Sequence, residues 1–328
     1  MASVIIPKAP SKIPRPHSQV APKTELETQP HSTQSSDLDE LYASFDRSML
    51  RFNNLDWPVV IWMSIIHVGA IATLAFFPTF FTWPAFACFF VMHWMTASLG
   101  ICLGYHRFLS HRSMKLAKPV EFFMTLCGVL SGEGSPLTWA ATHRLHHQKS
   151  DQRGDPHSPV KEDGVWAHFW WIFVRRDKKL HDQLLNRYVP DLMRQPTLRF
   201  FEKTYGLFLV ASGVALYLVG GWPFLFWGLF LRMAVAYHST WFVNSATHLW
   251  GYRTYQTKDQ SRNLWWVALV SYGEGWHNNH HAHPANARAG HRWWEIDMTY
   301  WTIKTLKVLG LAKNVHDEIP TEHTLVEG

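Results

Sequence analysis

Apolar residues in this chain come in long blocks rather than in short periodic stripes. Four blocks approach the roughly 20 mostly apolar residues that carry a helix across a bilayer: Trp57–Phe77, Ala85–Tyr105, Tyr205–Gly221 and Phe224–Val243. The third is slightly short, and Phe200 and Phe201 extend it. A Pro/Trp/Thr turn separates the first pair and GWP the second, so each pair predicts a hairpin. Two other stretches, VEFFMTLCGVLSG and VWAHFWWIFV, are too short to span and are expected at the interface or re-entering. Residues 1–50, rich in Pro, Ser, Thr and Gln, show no period. Such a segment buries too little apolar area to offset its ordering entropy, so a disordered tail is expected. It holds no apolar core of a secretory signal. One domain then covers residues 51–312, and 313–328 form a short C-terminal tail.

Composition fits a membrane chain, with 47% hydrophobic residues, 15% aromatic residues and 18 Trp, a residue that favours membrane–water interfaces. Charge separates the two sides. The turns Pro78–Pro84 and Gly220–Pro223 hold no Lys or Arg, whereas His106 to Arg199 holds 15, the chain before Trp57 holds 6 and that after Val243 holds 8. The positive-inside rule places both termini and the central segment in the cytoplasm. The expected fold is all-α: four transmembrane helices in two hairpins with a cytoplasmic helical cap. Cys88, Cys102 and Cys127 lie in apolar surroundings and read as core residues rather than a disulfide framework.

On that cytoplasmic side the chain gathers imidazole. HRFLSH (His106, His111), HRLHH (His143, His146, His147) and HNNHH (His277, His280, His281) each adjoin an apolar segment, and His248 ends STWFVNSATH one turn after Asn244. On a helix His143 sits over both His146 and His147, which splay about 100° apart, so neighbouring imidazoles can serve two metals. His277, His280 and His281 repeat that spacing. His106 and His111, five apart, do not share a face of an α-helix and fit the end of the second membrane helix. Nine imidazoles exceed what one ion accepts, which implies two metals; the ligand type suits Zn, Cu, Fe or Ni. His67 and His93, inside apolar blocks, read as packing or hydrogen-bonding residues. His157, His168, His238, His283 and His291 lie off the spacings and are expected around the ligands rather than among them. Glu274, three residues before His277 and on the same face if helical, can orient a ligand through a hydrogen bond. Arg232, inside the fourth block, needs protein or water around it.

These three boxes, with NSATH, GEGWHNNHHA and WWEIDMTYW, resemble the membrane fatty-acid desaturases, most of all the cyanobacterial acyl-lipid Δ9 members, over roughly residues 50 to 312. The resemblance implies a di-iron centre, held as Fe2+, that activates O2 and removes two hydrogens from a saturated acyl chain. It implies one iron on His106, His111, His143, His147 and His280. The other would take His146, His248, His277 and His281, with Asn244 acting through water. It further implies an acyl tunnel that bends at Trp139, Thr240 and Trp241.

Animal acyl-CoA members carry an Arg-Asp pair directly before the second box, where this chain has Ala141 and Thr142. Arg175 and Arg176 resemble a second CoA-contacting pair. The resemblance therefore favours an acyl chain esterified in a membrane glycerolipid, with acyl-CoA as the alternative, in a cyanobacterial plasma or thylakoid membrane. No flavin or dinucleotide fingerprint is present, and the few residues after the homologous region are too short for a fused cytochrome domain. A separate one-electron donor is expected, ferredoxin or alternatively cytochrome b5, steered to the basic face. A related membrane hydroxylase shares the boxes. A membrane metal carrier or haem-binding protein would need polar residues along the spans, which hold few.

Overall fold

The first two long apolar helices start at short polar caps. The computed structural model describes residues 31–319. Helix α1 is His31–Ala43 and α2 is Trp57–Ala75, which begins where the Asp56 side chain accepts from Val59 N at 3.3 Å. Helix α3, Trp83–Ser110, begins with the Thr82 hydroxyl accepting from Ala85 N at 3.2 Å. From Trp94 onward α3 is a wide-turn, π-type helix. Helix α4 (Lys118–Val129) packs along that wide-turn section, and α5 (Pro136–Lys149), α6 (Gly164–His168) and α7 (Lys178–Tyr188) follow. Helix α8 runs Pro196–His248, and α9 (Trp265–Val270), α10 (His277–Ala282) and α11 (Met298–Val308) complete the set.

Among the described residues three helices, α2, α3 and α8, are long and apolar enough to cross a membrane. The last two expected blocks both fall within α8, which is two helical arms joined at a kink. Gly220 and Gly221 leave helical geometry, Gly221 at φ 64°, a conformation open to glycine at little cost. The chain reverses there: Leu229 lies against Gly213 and Leu216 against Gly228, pairs that a straight helix would hold far apart. An outgoing arm and a returning arm result. Of the two short apolar stretches, the first becomes α4. The second becomes α6 and a 3-10 turn at Trp170–Phe173.

Three differences from the sequence reading have simple causes. The disordered tail was expected through residue 50, yet Leu41 and Phe45 are buried among Leu137, Leu180 and Leu184. Leu41 lies near the end of α1 and Phe45 in the turn just after it, and both turn inward against that core. Residues 1–30 lie outside the described residues. The C-terminal segment is pinned as far as it is described, with His316 N donating to Ser113 O at 2.9 Å; residues 320–328 lie outside. The fold is helical rather than strictly all-α, because β1 (Lys115–Leu116) pairs antiparallel with β2 (Ala312–Lys313). That pair fastens the chain's end beside the entry to α4.

Candidate metal centre and acyl cavity

The last turn of α3 delivers the first two imidazoles. In its π-type geometry His111 N donates to His106 O at 3.1 Å, so residues five apart become neighbours, with ring centroids 4.9 Å apart. An α-helical spacing argument misses this. Helix α5 is fixed against the same end by Arg144, which donates to Ser110 O at 2.9 Å, Leu109 O at 2.8 Å and Asp191 Oδ1 at 2.7 Å. Helix α10 is anchored through its two asparagines. Asn278 Oδ1 accepts from Thr254 N and Tyr255 N, both at 2.7 Å, and Asn279 Nδ2 donates to Glu295 Oε2 at 2.7 Å.

The histidines converge into two groups. His106, His111, His143, His147 and His280 each offer a nitrogen within 4.8 Å of the others, as do His146, His248, His277 and His281. Nε2 atoms meet at 2.7 Å between His111 and His143, 2.9 Å between His147 and His280, 3.0 Å between His106 and His280, and 3.3 Å between His146 and His281. The Nε2 atoms of His248 and His277 are buried with no hydrogen-bond partner. Buried lone pairs aimed at one point are costly unless a cation receives them, so this donor set fits two metal ions. Burial first, and then neighbouring imidazoles, hold His111, His143, His147, His277 and His280 well below the ordinary histidine range. Neutral imidazole is the form that ligates.

Carboxylates behind the rings fix which nitrogen points inward. Asp155 receives His146 Nδ1 at 2.8 Å, Asp151 receives His248 Nδ1 at 3.0 Å, and Asp259 receives His281 Nδ1 at 2.7 Å. Glu274 lies 2.8 Å from His106 Nδ1 as an ion-pair contact and is itself held by Arg107 at 2.9 Å. Burial would raise these four carboxyls, but the imidazoles, with Arg107 beside Glu274, outweigh it. All four end below the usual range, Glu274 at about 2. An ionised carboxylate only accepts, so in the three Asp–His pairs Nδ1 carries the proton and the Nε2 lone pair faces the group. The four-histidine group has three such partners and the five-histidine group one. Sequence spacing suggested Glu274 beside His277, but the chain turns at Tyr272 and Gly273, both at positive φ, and the carboxylate reaches His106 instead. The three aspartates were missed; their only signal was acidic loop residues next to histidine boxes.

Beside the groups lies a cavity of about 530 Å³ lined mainly by Trp62, Met63, Tyr205, Leu209, Tyr237 and Trp241. A smaller one, about 40 Å³, reaches His277 and Glu274. Trp139, His143, Thr240 and Asn244 line both. Trp139 stacks on His143 with centroids 5.1 Å apart, and Trp241 stacks on Tyr237 at 5.4 Å. The Thr240 hydroxyl donates to Glu133 Oε1 at 2.9 Å, and burial pushes the Glu133 carboxyl up to about 8.

The remaining histidines stay outside these two groups, although His157 forms with His146 and Asp155 a third cluster whose ligand atoms lie within 4.8 Å of one another. His67, His238 and His168 form a chain, at 3.3 Å and 3.0 Å, that ends on Ser245 and wraps Trp241. His93 meets the Tyr272 hydroxyl at 2.7 Å, and His291 the Tyr255 hydroxyl at 2.8 Å, with His283 packed on the Tyr255 ring. His157 stacks near His146 at 4.3 Å and lines the large cavity. Arg232, buried, donates to Gly228 O and to Leu130 O, both at 3.0 Å, closing the carbonyl end of α4. Arg176 lines the cavity with its guanidinium 3.9 Å from the Phe45 ring centre, while Arg175 is exposed.

The family model for fatty acid desaturases matches residues 81–307. The chain belongs to the fatty acid desaturase family. It is 45% identical over 265 residues to an sn-2 palmitoyl-lipid 9-desaturase of Nostoc sp. (strain 36), covering 80% of this chain and 93% of that one. It is 43% identical to an sn-1 stearoyl-lipid 9-desaturase of Synechocystis sp., covering 81% of each. An acyl-CoA C20 Delta5-desaturase of Anemone leveillei is 40% identical, over 79% of this chain and 82% of its own. In this desaturase, then, both histidine groups and the adjoining apolar cavity fall within or beside the matched region.

Proposed function

We propose that this desaturase places a cis double bond at the Δ9 position of a saturated acyl chain esterified in a membrane glycerolipid. The observation that carries the reading is the junction of an apolar cavity with two groups of convergent imidazoles, at Trp139, His143, Thr240 and Asn244. Relatives named for lipid-linked 9-desaturation, at 45% and 43% identity, support the regiochemistry and the carrier.

Two irons, when bound, would supply O2 activation strong enough to take hydrogen from a methylene that has neither an acidic proton nor a leaving group. His106, His111, His143, His147 and His280 would hold one; His146, His248, His277 and His281 would hold the other, with Asn244 acting through water. Asp151, Asp155 and Asp259 keep the Nε2 lone pairs of their histidines inward, and Glu274 sits behind His106. Trp139, Thr240 and Trp241 shape the bend that seats the reacting carbons and enforces cis geometry. The apolar wall keeps water from the reacting chain.

In this reading α2, α3 and the two arms of α8 make four passes in two hairpins, with the histidine groups on the cytoplasmic side. A cyanobacterial plasma or thylakoid membrane is the proposed location. Electrons would come singly from ferredoxin, attracted by the basic cytoplasmic face. Expression in a host lacking the activity, followed by lipid analysis, tests the whole. Δ9-monounsaturated chains in glycerolipids are expected; hydroxylated chains, or products confined to acyl-CoA, would overturn the assignment.

A further inference from the structure

The cavity is walled on one side by the first turns of α2 and the outgoing arm of α8. Pro58 and Val59 line it from α2; Tyr205, Gly206, Leu209 and Val210 line it from α8. Pro58, Gly206 and Val210 are at the same time exposed on the outer surface, Val210 by 60%. A wall residue that is also an outer-surface residue marks a place where the cavity opens sideways. Among the described residues nothing plugs the gap beside Gly206, where an added Cβ would meet no atom within 4 Å. The opposite wall is the returning arm, which contributes Tyr237, Thr240 and Trp241, so a chain passing the gap is led toward the imidazoles.

The level of this gap points to its user. Val59 lies one turn past Asp56, the cap of α2, and Gly206 lies one turn past Lys203, which follows Arg199 and Glu202. Just beyond the charged edge the exposed residues become hydrocarbon, with Ile61 at 55%, Ile65 at 50% and Leu207 at 68% exposure. The opening therefore sits among the first apolar turns under a polar rim. That is the depth at which the glycerol esters of a bilayer lipid lie. A diacyl lipid cannot thread its headgroup and second chain down an end-on tunnel. It can slide one chain sideways between two helices while the rest stays in the leaflet.

We infer that the cleft between Pro58–Val59 of α2 and Gly206–Val210 of α8 is a lateral portal for one acyl chain of a diacyl glycerolipid. The inference rests on the acyl-lipid reading above. It goes further by assigning the entry route and the residues that bound it.

The test uses iron-loaded full-length enzyme in vesicles of saturated phosphatidylglycerol carrying a trace of the same lipid with a diazirine in one acyl chain. Photolysis is expected to label the segments 58–62 and 205–210 as well as 237–241, with labelling suppressed by excess unmodified lipid. Gly206→Trp, which fills the gap, should cut labelling of 237–241 and lipid desaturation by at least about tenfold while iron per chain is unchanged. Should that variant lose iron, Val210→Trp on the exposed face makes the same test. Labelling of 237–241 without the two flanking segments would overturn the portal, as would wild-type turnover in an iron-replete Gly206→Trp. Wild-type enzyme that ignores glycerolipid but desaturates stearoyl-CoA would overturn the acyl-lipid reading first, and the portal with it.

Discussion

Two glutamates show how differently the two halves of the site are built. Glu274, among the histidines, is buried and ionised: Arg107 and His106 draw its carboxyl down to about 2. Glu133, on the cavity wall, is buried and neutral at physiological pH: burial lifts it to about 8, with the Thr240 hydroxyl as its close partner. The same side chain takes opposite states because one region is organised by charge and the other by hydrocarbon. In the histidine region, four of the rings are backed by carboxylates at their Nδ1 atoms. In the cavity, position depends on packing, as in the Trp241–Tyr237 stack. Errors should therefore be all-or-none near the imidazoles and graded along the cavity.

The largest effect tests the first half. His143→Ala and His277→Ala, one from each group, are expected to abolish turnover and to leave fewer than two metals per chain by elemental analysis. His283→Ala should keep both, since its ring packs on Tyr255 away from the groups. Retained turnover in either ligand variant would remove that residue from the set.

Next comes the cavity. Thr240→Trp places an indole at the junction of the two cavities, where misplacement of reacting atoms by about 1 Å can cost on the order of a hundredfold in rate. The expected protein holds wild-type metal with little product, and Trp241→Ala should spread the double-bond position. Unshifted Δ9 product in normal amount from both would mean that these residues only pack.

A smaller effect separates the two histidine groups. Asp155→Asn keeps the shape but loses the anion behind His146, and such partners typically contribute roughly ten- to a hundredfold in metal affinity or activity. The loss should fall on one of the two metals, seen as biphasic release to a chelator. Uniform release of both would argue that the carboxylates do not distinguish the groups.

How much of this was legible in the sequence follows the same division. The converging imidazoles were legible because histidines recur at short, helix-compatible spacings beside apolar blocks. His106 and His111 were read as a pair, but not their shared face, because nothing in hydropathy announces a π-type helix. Asp151 was not readable: it reaches His248 from 97 positions away, and a loop aspartate has the same composition signal whether it is solvated or buried. Arg232 was flagged as needing partners, yet backbone carbonyls at the end of α4 leave no trace in side-chain identity. The fold of residues 31–50 was missed because the apolar residues that pack into the core there, Leu41 and Phe45 with Tyr42 against them, are scattered through a polar stretch without a clear period.

The smallest effect is a pH dependence confined to the cavity. Glu133 is raised to about 8 by burial, above its ordinary value of 4.5. Between those values the folded protein binds a proton that the unfolded chain releases. The stability it confers is thus complete below about 4.5 and is lost as pH rises through about 8. Over that window the slope is on the order of 1 kcal/mol per pH unit. Glu133→Gln preserves an acceptor for the Thr240 hydroxyl and cannot ionise. Every other titrating group is common to both proteins, so the difference in their thermal midpoints isolates this one. The Gln variant should gain on wild type progressively from about pH 6 to about pH 8 and stay level above that. Glu274 offers the opposite control: already ionised throughout this range, it should add no slope when replaced by Gln, whatever its effect on metal. A Glu133→Gln difference that does not change with pH would mean that the carboxyl is solvated, and the contrast between the two halves would lose its cavity side.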